Sequence, residues 1–118
     1  MLLRIDPESD VPLFAQIADA VRADAAAGRI RVGERLPAAR EVAAGLGVNV
    51  HTVLHAYQDL RDEGLLELRR GRGAVVTAQA RLLAELHQNV TDLVARARAA
   101  GLSPDALAAL VKEIARDR

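Results

Sequence analysis

Apolar side chains recur every three or four residues through most of this chain, and the period changes once. In "PLFAQIADAVRADAAA", residues 12–27, Leu13, Phe14, Ile17, Ala18 and Val21 form one stripe. That stripe predicts a helix, opened by Pro12 and stopped by Gly28. "RIRVGERLP" holds a Gly and a Pro and reads as a connection, with room for a very short strand around Arg35 and Leu36. A short second helix is predicted from Pro37, with Val42, Ala43 and Leu46 inward and Gly45 and Gly47 near its end. Asn49 is a good N-cap for a third helix that runs to about Glu63 and ends at Gly64. After Gly64, "LLELRRGRGAVVTA" predicts two short strands, about 65–69 and 73–78, around an Arg/Gly turn. Helix, short helix, turn, helix, hairpin is the order of a winged helix-turn-helix.

The remainder returns to the helical period. Leu83, Leu86, Val90, Leu93 and Ala97 alternate by three and four, which predicts a coiled-coil-like seam. Ser103 then caps a last helix with Pro104 at its first position and Leu107, Leu110, Val111 and Ile114 inward. No internal repeat and no low-complexity linker interrupts the chain. The expected class is therefore mainly α with a small β-hairpin. Residues 1–78 would form the winged helix-turn-helix, and residues 79–118 a two-helix dimerisation region with its interface on Leu83, Leu86, Val90, Leu93, Ala97, Leu107, Leu110 and Ile114. A two-fold dimer would double the few base contacts that one winged helix can make.

Composition narrows the chemistry. The 118 residues suffice for one domain plus a short extension. With one Phe, one Tyr and no Trp, the core has to come from aliphatic residues and many Ala, whose small side chains let helices approach closely. The absence of Cys excludes disulfides, zinc fingers and thiol catalysis. "MLLRIDPESD" lacks the apolar run of a signal peptide and no stretch approaches a membrane span, so a cytoplasmic protein with no membrane association is expected. Formal net charge is zero, yet Arg69, Arg70 and Arg72 fall together with no acid inside the run. All but one of the sixteen basic residues are Arg, the side chain suited to phosphate and guanine contacts.

The stretch "GVNVHTVLHAYQDL", residues 47–60, raises the functional question. Val53, Ala56, Tyr57 and Leu60 make one face apolar, while His51, Leu54, His55 and Gln58 look outward with Asn49 at the start. A metal site, a partner surface and a nucleic-acid reader could each present such a face. His51 and His55 have the i, i+4 spacing of a metal pair, but the Glu of a zinc protease is missing and no third ligand is obvious, so neither metal nor cofactor is expected. Ser9 and Ser103, the only serines, have no His and acid within suggested reach, so no enzyme is expected. "RRGRG" fits phosphate or minor-groove contact better than a structural turn, because surface ion pairs contribute little.

Residues 11–77 resemble the DNA-binding domain of GntR-family transcription regulators. The landmarks are "PLFAQI", "GRIRVGERLPAAREVAAGLGV", "TVLHAYQDLRDEGL" and "RGRG", in that order. The short tail is similar to that of the YtrA-type subgroup, in which the tail helices pair two protomers. The resemblance implies that Arg40 contacts DNA backbone or a base, and that Asn49, His51 and Thr52 begin a recognition helix in the major groove. It places Arg70, Gly71 and Arg72 at a wing tip near the minor groove. The chain departs from the family at Ala38, where many relatives carry a phosphate-binding Ser, and at Val50 and Leu54, where many relatives outside this subgroup carry a guanine-reading Arg. His51, His55 and Gln58, with Val50 and Leu54 against thymine methyls, would then supply the specificity.

The expected function is a homodimeric transcription regulator, a repressor, that binds double-stranded DNA at a palindromic operator. The competing reading is a protein-interaction module that uses the winged-helix surface without DNA. A tail of about forty residues has little room for a drug-sized pocket within one protomer, so a small-molecule effector would sit at the dimer interface, between tail and DNA-binding domain.

Overall fold

The computed structural model describes residues 3–117. Helix α1 spans Leu13–Ala26 behind Pro12 and buries Ile17, Ala18, Val21 and Ala25, the face expected from the apolar stripe. Asp24 is buried on the same helix; its carboxylate accepts a hydrogen bond from Arg29 Nε at 2.7 Å, and its carbonyl accepts one from Arg29 N at 2.8 Å. These two bonds pin the turn that follows α1. Helix α2 covers Ala39–Leu46 and buries Val42 and Ala43. Gly47 ends it in the left-handed region, φ 70°, a conformation that glycine adopts without strain. Asn49 caps helix α3, Val50–Asp62, by accepting a hydrogen bond from His51 N at 2.8 Å.

Strands β1, Leu66–Arg69, and β2, Gly73–Val76, pair antiparallel with Leu66 opposite Val76 and Arg69 opposite Gly73. An isolated two-stranded hairpin is marginal in water. This one gains a third edge where Arg35 bridges Val75, Val76 N donates to Glu34 O at 2.9 Å and Leu36 N donates to Ala74 O at 2.9 Å. The short strand expected around Arg35 and Leu36 is thus a single bridge with flanking bonds. Leu66, Ala74 and Val76 join α1, α2 and α3 in one hydrophobic cluster whose largest fully buried side chains are Ile17, Ile30, Leu60, Leu65, Val21, Val53 and Val76. Each such side chain stabilises the fold by about 1.5–3 kcal/mol through its transfer from water.

Helix α4 spans Gln79–Ala99 and α5 spans Pro104–Arg116. The chain divides into two compact units, Met1–Glu85 and Leu86–Arg118, so the first turns of α4 belong to the winged helix. Ala80 is buried there and Leu83 packs against the cluster. In the second unit, Leu102 N donates to Ala97 O at 2.9 Å and Ser103 Oγ accepts from Ala106 N at 3.1 Å, which turns the chain from α4 into α5. Helix α5 buries no residue, and Leu86, Val90, Leu93, Leu110, Val111 and Ile114 are all exposed. Of the α5 positions expected to point inward, Leu110, Val111 and Ile114 therefore face outward from the single chain, while Leu107 is half-buried.

Candidate nucleic-acid interface

Helix α3 is held from behind. Val53, Ala56, Tyr57 and Leu60 are buried, and the Tyr57 hydroxyl donates to Pro37 O at 2.7 Å, tying α3 to the segment before α2. Burial of the phenol, with Glu41 nearby, pushes its pKa up to about 12. At the C-terminal end of α3, Arg22 of α1 grips the Glu63 carboxylate through Nε, with bonds of 3.0 and 3.1 Å. That partner raises the Arg22 pKa above its ordinary value. The opposite face is therefore presented at a set orientation.

On that face His51 and Gln58 are exposed and Thr52 is half-buried. Asn49 uses its side-chain oxygen on the cap, which leaves the amide nitrogen as its donor. Val50 is half-buried and packs partly against the core, while Leu54 stays 37% exposed. The His55 ring lies flat on Phe14 of α1, with ring centroids 3.8 Å apart and planes 11° apart, and its Nε2 is 3.5 Å from the Asp59 carboxylate. One face of His55 is thus covered, which leaves the rest of the ring to meet a ligand. This stack is a tertiary contact between distant segments, and nothing in the local pattern announces it.

Arg40 stands exposed on the first turn of α2. Arg70, Gly71 and Arg72 form the exposed turn between the strands, closed by Arg72 N donating to Arg69 O at 3.1 Å with Gly71 at φ 81°. The three arginines of this run are not equivalent. Arg69 donates from Nε to the Glu67 carboxylate at 2.9 Å, holding that carboxyl below its usual pKa and raising its own. Residues two apart share a strand face, so strand parity could have shown this pairing in advance. Among the described residues, Arg40, Arg70 and Arg72 form no salt bridge. Among the same residues no three His, Asp or Glu side chains gather as a metal site, and no helix is long and apolar enough to cross a membrane.

The second unit carries the other group of candidate residues. Val90, Leu93 and Ala97 from α4 and Leu107 from α5 line an open, largely apolar groove of about 480 Å³ together with Leu102 and Val111. The small side chains of Ala97 and Ala108 are part of its lining. Leu83 is not among the residues that line this groove; it is half-buried against the winged-helix core.

Residues 13–76 match the family described as "Bacterial regulatory proteins, gntR family". The HTH-type transcriptional repressor YtrA of Bacillus subtilis is 30% identical across 98% of this chain and 94% of its own length. The solved structure of YtrA from Sulfolobus acidocaldarius, described as a GntR-family transcription factor, is 35% identical, has a TM-score of 0.63, and covers 84% of this chain and 99% of its own. The DNA-binding domain of AraR, solved in complex with operator ORX1, is 30% identical with a TM-score of 0.57 over 64% of this chain and 93% of its own.

Proposed function

Because this chain belongs to the GntR family and is a DNA-binding transcription regulator, not an enzyme, we propose that it acts as a homodimeric repressor on an inverted repeat. The observation that carries this reading is the division of α3: a locked inner face, and an outer face that offers His51, Leu54 and Gln58 beside the unpaired cations Arg40, Arg70 and Arg72. In this reading α3 enters the major groove, Asn49, Val50, His51, Thr52, Leu54 and His55 meet base edges, and Arg40 meets backbone or a base. Arg70, Gly71 and Arg72 reach the minor groove. The second protomer covers the exposed apolar side chains of the tail, Leu86, Val90, Leu93, Leu110 and Ile114, together with the half-buried Ala97 and Leu107. Exposed apolar side chains in this number mark an interaction surface. The repressor sense follows the named activity of the Bacillus subtilis relative.

Selection from a pool of randomised duplexes, followed by fluorescence anisotropy at two salt concentrations, tests the proposal. The expected product is an inverted repeat whose affinity falls steeply with salt, because phosphate contacts release counterions. A pool that yields no preferred duplex, or binding indifferent to salt, would overturn it in favour of a protein-interaction surface.

A further inference from the structure

Two shallow hollows open on the proposed DNA face, and both are floored by Ala38, Ala39 and Leu54. The first continues between α2 and α3 to Ala44 and Val50. The second continues toward the hairpin, to Leu68 and Ala74. Leu68 shares its strand face with the buried Leu66 but lies past the edge of the core, which leaves it 39% exposed. The result is one apolar trench, with Leu54 at its centre. Charge is confined to its ends, Arg40 and Glu41 at one and Arg69 and Arg70 at the other.

An apolar floor with the free guanidinium of Arg40 at one end and that of Arg70 at the other sets a definite requirement for the occupant. Phosphates suit the ends, so the part between them has to bring apolar atoms to a nucleic-acid surface. In the major groove the apolar group that distinguishes a base is the 5-methyl of a pyrimidine. The exposed face of α3 has no Arg before Arg61, and Arg61 is turned to the Asp62 carboxylate at 3.1 Å, so the usual bidentate donor for guanine is missing from the first turns. We propose that this trench is a 5-methylpyrimidine reader, which selects thymine by its methyl group and accepts 5-methylcytosine by the same contact. The inference rests on the reading that α3 faces DNA, and it assigns Ala38, Ala39 and Leu68 to base recognition alongside Leu54.

Deoxyuridine isolates the contact, because it keeps every hydrogen-bonding group of thymine and lacks only the methyl. In the duplex obtained by selection, each thymine of a half-site is replaced in turn. At one or more positions the affinity should fall about fourfold, the factor for one methyl returned to water, and roughly fifteenfold when both half-sites are changed. Leu54→Ala should bring the thymine-to-uracil ratio toward one, whereas Arg72→Ala should weaken both duplexes equally and keep the ratio. At the sensitive position, a 5-methylcytosine·guanine pair should bind about fourfold better than cytosine·guanine. A preferred duplex whose affinity ignores every thymine methyl overturns this inference alone. A pool with no preferred duplex overturns the regulator reading and this inference together.

Discussion

Tyr57 shows how one residue serves both fold and site. Its ring is 3% exposed in the core, and its hydroxyl reaches Pro37 O, so it sets the distance between α3 and the start of α2. The phenol titrates near 10 when exposed and at about 12 here, so the folded state holds its proton more tightly. Stability from this group is complete below pH 10 and declines as pH rises from 10 to about 12, because only the unfolded chain ionises in that window. Chemical denaturation of wild type should show a loss on the order of 2 kcal/mol across that window, and Tyr57→Phe should remove it. The same variant should cost about 1 kcal/mol at neutral pH through the lost hydrogen bond. An identical alkaline decline in the two proteins would rule this account out. Asn49 was readable as a cap because its bond is local, two residues along the chain. The covering of His55 by Phe14 was not, because it depends on how α1 crosses α3.

At the scale of elements, the hairpin separates arginines that look alike in sequence. Arg69 spends its charge on Glu67, and among the described residues Arg72 has no such partner. For Arg72→Ala, binding to all duplexes should weaken, and the slope of log affinity against log salt should drop by about 0.9, the value for one phosphate contact. Arg69→Ala should change the slope far less, because its local partner already offsets the charge. Anisotropy titrations over a salt series compare the two, and equal slopes for both variants would refute the distinction. The helices themselves were legible: α1, α2 and α3 begin and end within two residues of their caps and glycines as read from the sequence. Strand β2 ends at Val76, two residues before the expected limit of 78: Thr77 still donates from its backbone N to Leu65 O at 2.9 Å, but its hydroxyl accepts from Gln79 N at 3.3 Å, where the chain turns into α4.

For the whole molecule, the consequential feature is the difference between the two units. The first gathers most of its buried apolar residues in one cluster, and the second leaves α5 with none buried. A partner protomer is the proposed remedy. Leu93→Glu places a charge in that face and should shift the protein from dimer to monomer in sedimentation velocity at micromolar concentration. Affinity for the selected inverted repeat should fall at least tenfold, as the two half-sites become separate binding events. Thermal unfolding of the winged helix should change little, because Leu93 is outside the unit that holds its core. A variant that remains dimeric would move the interface elsewhere. Zero net charge did not point toward DNA, since a sum over the chain hides where Arg40, Arg70 and Arg72 stand.

Periodicity, caps and turn residues are local quantities, and by themselves they determined the element order, the inner and outer faces of α3 and the glycine turn of the hairpin. They act within four or five residues, so a linear reading captures them. Only the tertiary structure decided which outward residues remain available: Phe14 covers His55, Glu67 occupies Arg69, and Leu83 turns into the winged-helix core. It also decided that alanines from α2, Leu54 from α3 and Leu68 from β1 meet as one trench. Such a surface exists only once separate elements pack, because no stretch of the chain contains all of it.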